Sequence, residues 1–172
     1  MPLILPCRGK SPQIPNNCWV AENATIVGDV KFGENCSVWF NAVVRGDVNT
    51  ITCGNNVNIQ DGAVIHCTYE KTKTLLGNNV SVGHNALVHG CTIGNNVLIG
   101  MGSIVMDNCI IEDNCIIAAG AVLLEGTNVK SGSIWAGVPA KKVKDLSPEM
   151  FEGEVKRIAN NYRMYASWFE DQ

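Results

Sequence analysis

The sequence is poor in charge, in closely spaced cysteines and in long apolar runs. Charged residues make up 17% of the chain against 46% hydrophobic ones. That balance suits a protein with much buried or regularly stacked surface. The net charge of -3 provides no basic footprint for a nucleic acid or an anionic membrane, and neither is expected as a partner. No stretch reaches the roughly 18 consecutive apolar residues of a membrane-spanning helix. The segment from Met1 to Lys10 lacks the charged-then-apolar layout of a secretory signal, because Pro2 and Pro6 interrupt its short apolar run. A cytoplasmic location is the expectation, or an organelle matrix in a eukaryote. Eight cysteines are present, yet no C-x-x-C pair occurs, which opposes a zinc cluster or a disulfide framework. Cys36, Cys109 and Cys115 fall at small inward positions of the periodicity described next. They read as reduced core thiols, which fits a reducing compartment.

What is present is a repeat. Aliphatic side chains recur every six positions: Val20, Ile26, Phe32, Val38 and Val44, then Ile59 and Ile65, then Val82 and Val88. The series resumes with Ile93, Ile99, Val105, Ile111, Ile117 and Leu123. No helix has a period of six. Three hexads make an 18-residue triangular coil of three short parallel strands, each with one aliphatic side chain pointing inward. The turns Phe32-Gly33-Glu34-Asn35, Cys53-Gly54-Asn55-Asn56, Leu76-Gly77-Asn78-Asn79, Ile93-Gly94-Asn95-Asn96 and Ile111-Glu112-Asp113-Asn114 recur at intervals of 21, 23, 17 and 18 residues. Gly and Asn tolerate the positive φ that tight corners need. The intervals imply insertions near Asp47–Thr52 and Cys67–Thr74. With the side that starts at these turns as face C, the two before it are faces A and B. The 172 residues are expected to form one domain, 1–172, with the β-helix over 12–140 and a helix over 147–170. Ser147-Pro148-Glu149 has the makings of a helix start. Phe151, Val155, Ile158, Tyr162 and Tyr165 step by 4, 3, 4 and 3 along one apolar face, which should lie on the β-helix of this chain or of a neighbour.

The register gives the three histidines a meaning. His66 follows Ile65 and His89 follows Val88, so both take the same outward slot on face B, one coil apart. Coils stack about 4.8 Å apart, and two imidazoles at that separation can share a tetrahedral metal. His84 lies two residues after Val82, at the corner leaving face A. It is roughly 16 Å of extended chain from His89, at about 3.3 Å per residue, and would reach such a metal more easily from a neighbouring chain around a threefold axis. The plainer alternative is three unrelated histidines. Arg45 stacks in the column of His66 and His89, with Asp47 just after it. Asp61 precedes His84 by one coil, beside Gln60. Cys67, next to His66, is a weaker candidate for a fourth ligand.

Over roughly residues 12–140 the chain resembles the hexapeptide-repeat proteins, whose fold is a left-handed parallel β-helix. Handedness comes from that resemblance, since most parallel crossovers are right-handed. Gly137-Val138-Pro139-Ala140-Lys141 looks like the usual end of such a β-helix. Val44-Arg45-Gly46-Asp47, Asn58-Ile59-Gln60-Asp61-Gly62, Ile65-His66 and Val82-Gly83-His84 through Val88-His89-Gly90-Cys91 further resemble segments of the γ-class carbonic anhydrases. That resemblance implies a homotrimer that binds zinc, or iron or cobalt, through His66 and His89 of one chain and His84 of the next. It also implies reversible hydration of CO₂ to bicarbonate by a metal-activated hydroxide. Gln60 would orient the hydroxide. Arg45 would pair with Asp47 and, across the interface, with Asp61, either to bind product or as a structural salt-bridge cluster. Tyr162 resembles a tyrosine that some members place over the site, though it also fits the packing face of the helix. In one respect the chain departs from the archetypal enzymes. They carry a proton-relaying glutamate directly after the aspartate of the arginine motif, where this chain has Val48. The second loop offers only Glu70. Two alternatives stay open: a non-catalytic metal-binding trimeric scaffold, and a hexapeptide-repeat acyltransferase or thioesterase using one histidine as general base.

Overall fold

The computed structural model describes residues 1–169. It is a left-handed parallel β-helix of about 7 coils carrying a single C-terminal helical segment. Face A is one sheet of eight strands, from Trp19–Val20 through Ser81–Val82 to Ser133–Gly137, closed by Ala140–Asp145. Faces B and C form a single eleven-stranded sheet, because the strands Thr25–Lys31 and Val43–Cys53 bend around the corner between them. From Ile26 onward every member of the six-residue series is buried, with Ile26, Val44, Ile59, Ile65, Val82, Val88, Ile99, Val105, Ile117 and Leu123 fully enclosed. Val20, near the open end, is half-buried. The stacking starts earlier than residue 12, since Leu3–Leu5 already pairs in parallel with Thr25–Val27. It ends where Ala140–Asp145 folds back antiparallel on Ser133–Gly137.

Most corners are turned by a residue at positive φ, but the glycine of the Gly-Asn-Asn turns is not that residue. The second asparagine is: Asn56, Asn79 and Asn96 have φ of 55°. The glycine answers a different demand. A Cβ on Gly54 would stand 2.7 Å from the backbone carbonyl carbon of Gly77, and one on Gly77 equally close to that of Gly94. The turns stack too tightly for any side chain there. The first asparagine ties coil to coil, since the side-chain carbonyls of Asn55, Asn78 and Asn95 accept from the amides of Glu34, Asn55 and Asn78 at 2.8–2.9 Å. The second asparagines form a side-chain ladder, Asn56 to Asn79 to Asn96, at 2.9 Å per rung.

Both insertions fall at the corner between faces B and C. Gly28 pairs with Gly46 and Val30 with Ile51, so residues 47–50 stand against Asp29 alone. Residues 67–74 occupy the span that Gly90 and Cys91 cover one coil later. The extra chain thus gathers beside the ends of the strands Val64–His66 and Leu87–His89.

Ser147 caps the helical segment, its hydroxyl accepting from the Met150 amide, with Pro148 in the first turn. The segment runs on through a π-helical stretch, Phe151–Lys156, into the α-helix Arg157–Ser167. Glu170, the expected end of the helix, lies outside the described residues. The π stretch shifts the phase of the apolar face, so Val155, Ala159 and Ala166 are buried while Phe151, Ile158, Tyr162 and Tyr165 are half-buried. The helix packs on its own β-helix, with Val155 against Ile116 and Ile134 of face A. Among the described residues no helix is long and apolar enough to cross a membrane.

Asn79 combines a positive φ with a place in the ladder, and the two contributions can be separated. Asn79→Ala should cost about 1–3 kcal/mol, from the left-handed strain of a Cβ residue and the lost side-chain hydrogen bonds. Asn79→Gly removes the bonds but tolerates the φ, and should cost less. Chemical denaturation of the two variants checks this; equal losses would contradict the assignment.

Candidate metal centre

His89 stands directly opposite His66 in the ladder between Leu87–His89 and Val64–His66. The ring centroids are 5.1 Å apart, and His66 Nδ1 lies 3.1 Å from His89 Nε2. The outer nitrogens are both held by carboxylates: His66 Nε2 by Asp47 Oδ1 at 3.0 Å, and His89 Nδ1 by Asp107 Oδ1 at 2.6 Å. An ionised carboxylate only accepts, so each imidazole must donate its N–H outward. A neutral imidazole has one N–H. With both rings neutral, the two inner nitrogens face each other as lone pairs, and a shared proton or a metal ion between them would satisfy both. Two nitrogens bound to one tetrahedral metal at about 2.0–2.1 Å stand about 3.3 Å apart, close to the spacing found here.

Electrostatics favour this protonation pattern. Burial works against ionisation of Asp47, but hydrogen bonds from His66 and Arg45 outweigh it and hold the carboxyl below its usual range. Burial likewise opposes, and the Thr68 and His89 hydrogen bonds overcome, the same effect at Asp107. Burial pushes the His66 imidazole down, partly offset by Asp47, so the ring stays neutral more readily than a free histidine.

His84 repeats the pattern elsewhere. Its Nδ1 is held by Asp61 Oδ2 at 2.9 Å, and its Nε2 faces the Tyr162 hydroxyl at 3.1 Å. With Nδ1–H given to Asp61, Nε2 accepts from the phenol. Among the described residues no three His, Cys, Asp or Glu side chains gather around one point within the chain, so the His66–His89 pair lacks a third protein ligand of its own. Cys67 does not supply one. It is fully buried in the hydrophobic core, and burial pushes its thiol up to about 11. All eight cysteines are free thiols. Three imidazoles, each backed by a carboxylate, are a donor set that fits zinc.

The surrounding residues fall into place around these rings. Arg45 and Asp47 pair at 2.5 Å, so one carboxylate serves both the arginine and His66. Asp61 pairs with His84 rather than with Arg45. Gln60 is buried at 4% exposure, and its amide donates to Asn58, which in turn donates to Ser81. That chain fixes the rotamer of Gln60. Gln60, His84 and Tyr162 share a cavity of about 380 Å³ between the helix and face A. Tyr162 also meets Trp39 edge to face at 5.1 Å.

Two of these partners escaped the sequence reading. Asp107 lies 18 residues after His89, and an acidic residue one coil along from a candidate ligand was a usable signal. Trp39 follows the inward Val38, and nothing in the repeat marked it.

Comparison with known proteins shows the family. Residues 90–125 match the family described as bacterial transferase hexapeptide (six repeats). The chain is 41% identical to a protein of Geobacillus kaustophilus named carbonic anhydrase, over 93% of this chain and 87% of that one. It is 37% identical to gamma carbonic anhydrase 2, mitochondrial, of Arabidopsis thaliana over 89% of its length, but spans only 56% of that relative. Among solved structures, a hexapeptide transferase family protein from Anaplasma phagocytophilum superposes with a TM-score of 0.92 at 40% identity, covering 97% of this chain and 98% of that one. The chain belongs to the γ-class carbonic anhydrase-like family of hexapeptide-repeat proteins.

Tyr162 offers a test of this geometry. Burial, followed by the nearby charge of Asp61, pushes its phenol up from 10.0 to about 12. The folded state therefore keeps this proton longer than the unfolded one. The associated stability is present below pH 10 and is lost as pH rises through about 12. An ultraviolet difference titration of wild type against Tyr162→Phe should show the missing phenol titrating near 12. A midpoint near 10 would place Tyr162 in solvent.

Proposed function

We propose that the protein is a γ-class carbonic anhydrase acting as a homotrimer, with a divalent metal held by His66 and His89 of one chain and His84 of its neighbour. Zinc is the first choice, with iron or cobalt in its place under other conditions. The observation that carries this reading is the pair of ring nitrogens, 3.1 Å apart, on rings anchored by Asp47 and Asp107. The relatives named carbonic anhydrase support the reaction. Held by these three imidazoles, zinc would supply the Lewis acidity that lowers the pKa of water to about 7, making hydroxide available to CO₂ at neutral pH.

The chain's own residues orient and contain that chemistry. Gln60, locked by Asn58, lines the cavity shared with His84 and would orient the hydroxide there. Tyr162 holds His84 Nε2 in the absence of a better partner and would release it to the metal. Asp47 fixes the His66 ring and is itself held by Arg45, and Asp61 would pair with the neighbour's arginine across the interface of the trimer.

Proton export is the weak step. Val48 packs against the core where the archetypal enzymes have a carboxylate. Glu70, at the tip of the second loop, is exposed. This observation favours a second reading, a metal-binding trimer with no hydratase role. An acyltransferase role has less support, because one general-base histidine has no need of three aspartate-backed imidazoles.

Metal analysis of anaerobically purified protein, with stopped-flow CO₂ hydration, decides between these readings. The proposal expects one metal per chain and hydration above the buffer rate. Metal without hydration at any buffer concentration leaves the scaffold. Subunit mixing tests the shared site. Combining His84→Ala chains with His66→Ala,His89→Ala chains should rebuild some metal sites in mixed trimers, while neither variant alone binds. No recovery on mixing would contradict the shared site.

A further inference from the structure

Asp107 does more than hold a ring. Its Oδ1 accepts from His89 Nδ1 at 2.6 Å, and its Oδ2 accepts from the Thr68 hydroxyl at 2.6 Å. Thr72 Oγ1 approaches Oδ1 at 3.4 Å and also accepts from the Thr68 amide at 2.9 Å. Thr68 and Thr72 belong to the second insertion, whose tip residues Tyr69, Glu70 and Lys71 are exposed along with Lys73. One carboxylate thus joins a histidine of the metal pair to an otherwise exposed loop. Gly90 makes this possible. It sits between His89 and the loop at a φ of +55°, and any Cβ there would collide with the Asp107 carboxylate and the Thr72 hydroxyl. Thr74 closes the loop's far end, donating to the His66 carbonyl at 2.6 Å and accepting from the Gly90 amide at 2.9 Å. The loop is therefore fastened to both strands that carry the histidine pair.

We propose that Asp107 is a positioning residue that clamps the 67–73 loop and the His89 ring into one unit, so that metal binding at the histidine pair and closure of the loop are coupled. This rests on the metal reading above. Asp107 holds Nδ1–H outward and so keeps His89 Nε2 free for a metal. The same oxygens hold the loop hydroxyls. Opening the loop removes two of the donors that fix the carboxylate, which loosens the ring. Coupling of this kind is reciprocal: metal must close the loop as much as the loop favours metal.

The test uses the full-length protein and zinc. Zinc affinity is measured by competition with a chromophoric chelator, and loop closure by tryptic cleavage at Lys71 and Lys73 with and without zinc. Asp107→Ala should weaken zinc binding about 10–100-fold, the usual effect of losing a partner that orients a metal ligand. Asp107→Asn, which keeps an acceptor oxygen, should recover part of the loss. The decisive variant is Thr68→Val,Thr72→Val, which touches no histidine and remains informative should Asp107→Ala fail to fold. It should weaken zinc binding several-fold, and zinc should slow loop cleavage in wild type but not in this variant. A double-valine variant that binds zinc as tightly as wild type, or wild-type cleavage that zinc does not change, overturns the coupling. A wild type that takes up no zinc overturns the metal reading itself, and the coupling with it. That result is recognisable because wild type and variants are then equally empty.

Discussion

The site depends on one interaction repeated three times, a carboxylate accepting an N–H from each histidine. Asp47, Asp61 and Asp107 take one nitrogen of His66, His84 and His89. This fixes the tautomer of every ring and leaves the opposite nitrogen as a lone pair. Two of those lone pairs are forced together at 3.1 Å and the third is occupied by a phenol. Two facing acceptors are unfavourable, and a shared proton or a metal ion relieves them. The pair is thus preorganised for the metal proposed above, which would take up both nitrogens at once.

The β-helix can impose that conflict because its spacing is fixed. Stacked coils put equivalent residues about 4.8 Å apart. A core of enclosed aliphatic residues and a ladder of asparagines leave little freedom to slide. The insertions are tolerated because they leave at one corner and rejoin the same register. They are also where the polar network gathers, with Asp47 in the first insertion and Thr68 and Thr72 in the second.

Much of this was legible in the residues themselves. The period of six marks the inward series from Ile26 to Leu123, and the offset from Ile65 and Val88 puts His66 beside His89. Ser147-Pro148 marks the helix start. What escaped involves contacts that are diagonal to the repeat or that depend on an absence. Asp107 reaches His89 across the place where Gly90 has no side chain. The turn glycines serve close stacking, and the positive φ falls on the second asparagine, a distinction that composition cannot make. The π-helical stretch Phe151–Lys156 moved the apolar face by a residue, a change of phase that the spacing of apolar residues does not reveal. That the helix lies on its own β-helix rather than a neighbour's was likewise outside the reach of spacing.

The account stands on three imidazoles from two chains around one metal. X-ray absorption at the zinc edge of the loaded protein tests this most directly. The expected spectrum is a first shell with three imidazole nitrogens at about 2.0–2.1 Å, losing one imidazole in His84→Ala. A shell with no more than two imidazoles, or one that His84→Ala leaves unchanged, would contradict it.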